Sequence, residues 1–329
     1  MPIWLIILLS VLGGLLILAS LPLIIVEAGY KKMFPHRADG VNSIRYYHKD
    51  EFKDLSFEKI YFLSMKDQLK GWIYKNKKCK SFKATIVVCH GIGFGHAYYL
   101  PLINKLCEDG YIVMAFDQYA SGTSEGLRMK GMARGVTDLD AAINFASKHE
   151  ELGKYPLYVL GHSWGGYSAL AVLAVNNKAS KVISLAGFNS EVDLYSGYVK
   201  GIKFLKPYFY LHNQIKYGKL GNLSGVDGLK VTNAKVLYLQ GENDLVVPPA
   251  ISSDLFKEVK KDNISIEMLP HKGHSFFFSF NSEENQGKLL AKYGLLGGVD
   301  KDYNNFVDFR KMSELDPDIY SKIVNFYNN

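Results

Sequence analysis

The run Pro156-Leu157-Tyr158-Val159-Leu160-Gly161-His162-Ser163-Trp164-Gly165-Gly166-Tyr167 decides how this chain is read. Residues 156–160 have the length and apolar character of a buried strand, and the small residues Ser168-Ala169-Leu170-Ala171-Val172 that follow read as a helix. A G-x-S-x-G turn between a strand and a helix presents its serine as a nucleophile. Such a turn forces Ser163 into a strained backbone conformation. Glycines two residues before and two after it remove side chains that would collide with the neighbouring strand and helix. The bland alternative is an idle serine on a glycine-rich turn, and it is weighed against the partners found elsewhere in the chain.

A serine hydroxyl attacks only when a base takes its proton, and the base in turn needs an acid to orient it. After the apolar run Val236-Leu237-Tyr238-Leu239-Gln240 comes Gly241-Glu242-Asn243-Asp244, which puts two acids in a loop at a strand's carboxyl end. After the next apolar run comes His271-Lys272-Gly273-His274-Ser275. Gly273 is expected to let the backbone turn and swing His274, rather than His271, over the sheet. His162 reads as packing beside the turn, His36, His48, His149 and His212 have no partner pattern, and His96 stays ambiguous. No histidine pair has metal-ligand spacing, so no metal and no cofactor is expected.

The charge that develops on a carbonyl oxygen under attack is stabilised by preorganised backbone N–H groups, at about 3 kcal/mol per donor. Trp164, which follows the serine, is one expected donor. Ile92 is the other, from the loop His90-Gly91-Ile92-Gly93-Phe94-Gly95-His96, whose glycines let backbone approach substrate closely. A phosphate cradle is the competing reading of that loop, but it lacks G-x-x-x-x-G-K-[ST] and a clean G-x-G-x-x-G with an acidic ribose partner.

Working outward, strands are expected at Phe57–Leu63, Leu69–Tyr74, Thr85–Cys89, Tyr111–Phe116, Leu157–Leu160, Lys181–Leu185, Lys235–Leu239 and Ser265–Leu269. The first two form an antiparallel pair turning at Lys66-Asp67-Gln68. Helical patterns fall at about Ala97–Asp109, Met132–His149, Trp164–Val175, Pro249–Lys261 and Pro317–Tyr327. Alternation of this kind means a mostly parallel sheet covered by helices on both faces. The interval 187–233 is too long for an ordinary connection and rich in Tyr, Phe and Lys, so it reads as a lid over the site.

The 329-residue chain opens with an uncharged apolar run, Ile3 to Val26. At about 1.5 Å per residue it is long enough to cross about 30 Å of hydrocarbon. A cleaved signal peptide would have a basic leading region, a shorter apolar core and a small-residue cleavage site. Positive charge instead follows the run, at Lys31, Lys32, Arg37, Arg45 and Lys49, which favours an uncleaved anchor with the remainder in the cytoplasm. The expected organisation is an anchor over 1–28, a juxtamembrane connector over 29–56 and a catalytic domain over 57–329. A chain starting near Ser56 would keep every catalytic element. Cys79, Cys89 and Cys107 show neither metal spacing nor an even count for a disulfide framework. The net charge of +7 is mostly lysine and comes without a nucleic-acid motif, so anionic head groups or simple solvation account for it better than nucleic acid.

Taken together, the 161–166 turn, the 90–93 loop and the segment Asp117-Gln118-Tyr119-Ala120-Ser121-Gly122-Thr123-Ser124-Glu125-Gly126 resemble the α/β-hydrolase superfamily. Within it the chain is most similar to the monoacylglycerol lipase, lysophospholipase and serine aminopeptidase-like branch, from about Phe57 onward. The last segment matches the family's D-x-x-G-x-G-x-S-E-G loop except at Ala120 and Ser121. The order Ser163, Asp244, His274 is the family order, and the family pattern assigns the acid to Asp244, with Glu242 the competitor. The resemblance implies an α/β-hydrolase fold and an acyl-enzyme mechanism on an ester, thioester or amide. The leading expectation is a membrane-anchored serine esterase acting on lipid-like or small acyl esters. An aminopeptidase or amidase on the same machinery, and a non-catalytic binding module on the same scaffold, are the alternatives. Tyr195, Tyr198, Ile202, Phe204, Leu205, Tyr208, Phe209 and Tyr210, with Lys200, Lys203 and Lys206, give the lid a greasy and a basic side that suits a bilayer and acyl chains. Phe276-Phe277-Phe278 adds to this. Ordinary packing of these aromatics onto the sheet competes with it.

Overall fold

Parallel strands covered on both faces have no polar side, and this accounts for the uninterrupted apolar runs at the centre of the chain. In the computed structural model, residues 1–34, 52–93, 95–198, 202–293 and 309–329 are described. The strands are β1 (Leu55–Ser64), β2 (Asp67–Asn76), β3 (Thr85–Cys89), β4 (Ile112–Phe116), β5 (Leu157–His162), β6 (Ala179–Leu185), β7 (Lys235–Gly241) and β8 (Ile264–Leu269). They form one sheet in the order β1-β2-β4-β3-β5-β6-β7-β8. β2 runs antiparallel to both β1 and β4, and every other pairing is parallel. Every residue of β3, β4 and β5 is buried.

Helices α2 (Leu100–Glu108), α3 (Ala133–Lys148) and α4 (Trp164–Ala171) lie between strands as their patterns predict. α3 and α4 contribute Val136, Leu139, Ala169 and Leu170 to the core on one face of the sheet. On the other face, α2 joins the C-terminal helix Pro317–Asn328 through Leu102, Leu106, Ile319 and Ile323. Two expectations differ from what is observed. The helix expected over 249–261 is broken into a 3-10 turn, Pro249–Ile251, and a single turn, Ser253–Phe256. Ser252 between them is non-helical (φ −146°, ψ −101°), and its hydroxyl bonds the Pro248 carbonyl (3.0 Å) and the Gln240 side chain (3.3 Å). That is a local side-chain bond winning over the helix ladder. A helix at Phe280–Tyr293 carries little apolar periodicity and escaped notice, although the Ser279 hydroxyl accepts from Ser282 N–H at its start (3.2 Å).

Between β6 and β7 the chain builds α5 (Glu191–Tyr198), a 3-10 turn (Ile202–Leu205), α6 (Lys206–Tyr217) and α7 (Gly225–Val231). α7 starts with a Ser224/Asp227 capping box and lies so close to α4 that a Cβ on Gly228 would strike the Leu170 carbonyl. The insertion proper is therefore α5 and α6.

The first helix, α1, runs from Ile3 to Met33. Its apolar side chains are largely exposed as far as Ile25, whereas Val26, Tyr30 and Phe34 are buried. Tyr30 stacks on His212 (4.5 Å) and meets Phe209 edge-on (5.9 Å). Glu27 accepts from His212 Nε2 (3.0 Å) and Lys216 Nζ (2.6 Å). The end of α1 thus docks onto α6. Arg37, Arg45, Lys49, His36 and His48, like Phe94 and Lys200, lie outside the described residues.

Candidate active site

Strands β3, β5, β7 and β8 point their carboxyl ends to one edge of the sheet, where the loops bearing the candidate residues gather. At the end of β5 the chain turns straight into α4, with Ser163 at φ 56° and ψ −115°. A non-glycine residue there is strained, and such strain persists only where neighbours over-determine it. They do so here: Ser163 N–H donates to Leu185 O (2.8 Å) and Tyr167 N–H to Ser163 O (2.9 Å). A Cβ on Gly161 would collide with the Gly165 carbonyl, and one on Gly165 with the Cys89 carbonyl. Trp164 is the first residue of α4, so its N–H has no acceptor within the helix. Its indole N–H is used elsewhere, donating to Met132 O (2.7 Å).

The loop after β3 passes alongside. A Cβ built on Gly91 would sit 3.3 Å from Ser163 Cβ. His90 is fully buried, its Nε2 accepting from Gln118 N–H (2.9 Å) and its Nδ1–H donating to Gly91 O (2.7 Å). Burial pushes the His90 imidazole down, against the opposing pull of the Asp117 charge. With the Gly91 carbonyl pinned toward His90, the planar trans peptide aims Ile92 N–H the opposite way. His90 therefore orients one expected donor, a role that sequence reading did not assign it.

At the ends of β7 and β8, His274 Nδ1 lies 2.7 Å from Asp244 Oδ2. Asp244 is buried and also accepts from Gln240 Nε2 (2.9 Å) and from the N–H groups of Val246 and Val247 (2.8 Å each). Glu242 and His271, the competing residues, are exposed. The left-handed residue of this loop is His271 (φ 61°), two residues before Gly273. The glycine that this corner needs is Gly241, whose absent Cβ would strike the Lys272 and Gly273 carbonyls.

His162 does more than pack. Gly91 N–H donates to Tyr99 Oη (2.9 Å), the Tyr99 hydroxyl lies 2.7 Å from His162 Nδ1, and His162 Nε2 lies 3.1 Å from the His274 carbonyl oxygen. With a neutral imidazole the contacts assign the protons: Tyr99 O–H donates to Nδ1, and Nε2–H donates to His274 O. A two-residue bridge thus joins the loop after β3 to the loop after β8. His96, ambiguous in sequence, pairs with buried Asp117 (2.8 Å) and stacks on Trp72 (3.6 Å between ring centroids), a structural role. Ala120, where the family loop has glycine, takes the left-handed conformation that glycine would supply (φ 58°). Phe276, Phe277 and Phe278 are buried, the latter two against Tyr98, so the triplet is core and not substrate-facing. Tyr195, Leu205 and Phe209 likewise pack inward, while Phe204 is exposed. Among the described residues no three metal-ligating side chains come together, and Cys79, Cys89 and Cys107 are free thiols.

A family model described as serine aminopeptidase, S33, matches residues 80–215, which contain the loop after β3, the strained turn and the start of the insertion. The chain has the α/β-hydrolase fold. Among sequence relatives, it is 28% identical over 163 residues to a proline iminopeptidase of Thermoplasma volcanium, covering 49% of the chain and 53% of the relative. It is 32% identical over 94 residues to a proline iminopeptidase of Clostridium botulinum, covering 28% and 31%. The matched stretch thus spans about half of the first relative's length and less than a third of the second's. Among solved structures, an esterase of Pyrococcus furiosus superposes with a TM-score of 0.57 at 19% identity over 78% of this chain and 97% of that one. An acetyl xylan esterase from Paenibacillus does so with a TM-score of 0.54 at 16% identity over 75% and 87%. At those identities the likeness is one of fold.

Proposed function

We propose that this α/β-hydrolase is a serine hydrolase that cleaves carboxylic esters of lipid-like or small acyl type, held to a membrane by α1. The observation that carries the reading is the Asp244–His274 contact of 2.7 Å at the same sheet edge as the strained Ser163 turn. In this reading Ser163 Oγ attacks the ester carbonyl carbon and its proton passes to His274 Nε2, while Asp244 holds Nδ1–H and stabilises the imidazolium. Ile92 and Trp164 N–H groups receive the oxyanion. As the C–O bond breaks, His274 returns the proton to the departing alkoxide, leaving an acyl-Ser163 ester. His274 then takes a proton from water as its oxygen attacks the acyl carbon, and when the bond to Ser163 Oγ breaks His274 returns that proton to Oγ, releasing the acid and restoring the free serine.

The anchor reading draws support from the burial of Val26, Tyr30 and Phe34, because a cleaved leader would leave Phe209 and Tyr195 without their cover. A second reading, hydrolysis of an amino-terminal residue, is favoured by one specific observation: the matching family model and both sequence relatives carry peptidase names. The test is labelling of the full chain with a fluorophosphonate, followed by side-by-side assays on medium-chain esters and amino-acid arylamides. Covalent addition at Ser163, its loss in Ser163→Ala and turnover of the esters are the expected results. Labelling that survives the substitution removes Ser163 from the role, and turnover confined to arylamides replaces the esterase by the peptidase.

A further inference from the structure

α6 has two faces of different character. Phe209, His212, Asn213 and Tyr217 are buried on one, whereas Leu211 and Ile215 on the other are 46% and 71% exposed, and Phe204 in the preceding turn is 72% exposed. Single exposed apolar side chains are ordinary. Leu211 and Ile215, however, stand four residues apart and so share one face of α6, with Phe204 exposed in the turn that leads into it. The helix contains no acidic residue, and its charges are Lys206 and Lys216, with Lys219 just beyond.

The depth of this face follows from its neighbour. Ile215 lines one groove together with Ser20, Leu23, Ile24 and Lys31 of α1. Crossing about 30 Å of hydrocarbon takes about 20 residues of a run that begins at Ile3, so Leu23 and Ile24 sit at the boundary between acyl chains and head groups. Ile215 lies at the same level. Glu27, bonded to both His212 and Lys216, prevents α6 from shifting independently of α1.

We infer that the outer face of α6 is a membrane-contact surface: Phe204, Leu211 and Ile215 rest among the outermost acyl segments of the leaflet where α1 ends, with the exposed Lys219 just beyond the helix at anionic head groups. This rests on reading α1 as a membrane span. It places the insertion after β6 at the level where the ester of a leaflet lipid resides, so a lipid substrate reaches the site from the bilayer side.

The test uses full-length protein carrying Cys79→Ser, since Cys89 and Cys107 are buried. Single cysteines are introduced at exposed positions by Leu12→Cys, Ile215→Cys or Asp262→Cys and labelled with an environment-sensitive fluorophore. Each protein is then reconstituted in phosphatidylcholine–phosphatidylserine vesicles with and without a lipid-borne quencher. Emission at 12 and at 215 is expected to shift to the blue and to be lost with the quencher, while emission at 262, beyond the opposite edge of the sheet, stays water-like. A quenched probe at 12 beside a water-like probe at 215 overturns the inference and leaves the anchor standing. Water-like probes at both positions overturn the anchor and the inference with it.

Discussion

Asp244 accepts four hydrogen bonds, from His274 Nδ1, Gln240 Nε2 and two backbone N–H groups, so an amide in its place would turn a donor toward a donor. Asp244→Asn is expected to lower turnover of a short-chain ester by about 10⁴-fold through the wrong imidazole tautomer, the size of effect seen for this change in another serine triad. Circular dichroism should show the fold retained. If Glu242→Gln were the damaging change instead, the acid would be misassigned. Tyr99→Phe removes the hydroxyl that serves Gly91 N–H and His162 at once, leaving buried polar groups without a partner at about 1–3 kcal/mol. A lower melting temperature together with slower ester turnover is expected, and turnover equal to the parent's would show that the bridge does not hold the two loops in register. The strained Ser163 turn and the Asp244–His274 pair were legible as candidates because each stands within a few residues of the end of an apolar strand, which a linear pattern displays. His90, Tyr99 and His162 were not, since their partners lie as far as 112 residues away and only the folded sheet brings them together. That the left-handed corner ahead of His274 falls on His271 was likewise not legible in a linear pattern.

At the scale of elements, the sheet was legible because buried parallel strands write themselves as unbroken apolar runs. The Phe280–Tyr293 helix, with much of its surface polar, does not. The docking of α1 was hidden by a different circumstance. Val26 and Tyr30 look like the tail of an apolar span and the start of a connector, and only α6 reveals them as core. Tyr30→Ala in the full chain should therefore destabilise as a buried aromatic truncation does, by about 3–5 kcal/mol. Thermal unfolding checks this, and an unchanged transition would mean that the dock contributes nothing. The loop Asp117–Gly126 invites a pH experiment. Burial pushes the Asp117 carboxyl up, but the His96 charge and its hydrogen bonds, with His90, outweigh it and hold the group well below the usual carboxylate range. A depressed folded pKa stabilises fully above the unfolded value, near about 3.9, and loses that contribution as pH falls through the folded value. The stability gap between the parent and Asp117→Asn should be widest at about pH 6 and narrow at about pH 3. Urea unfolding at the two pH values measures it, and a gap that widens on acidification would contradict the assigned cause.

For the whole molecule, the decisive question is what the first helix does to the rest. Its apolar side chains from Ile3 to about Leu21 are largely exposed among the described residues. That much uncovered apolar surface exceeds what a soluble monomer exposes in one patch. A cleaved leader would remove the surface but also strip Phe209, Tyr195 and His212 of the residues that pack on them. The proposed retention of the helix would resolve both problems, and Lys31 and Lys32 at its end would then hold its carboxyl side in the cytoplasm. Full-length protein should accordingly pellet with membranes and resist alkaline carbonate, and its mass should include residue 1 or 2. Protease added to intact cells should leave the α/β domain whole and cleave it only once the membrane is opened. Cleavage in intact cells would reverse the topology. A mature chain beginning near residue 30 would turn the anchor into a signal peptide, and with it gone the exposed pocket around Phe209 should show as a lowered melting temperature relative to the full-length protein.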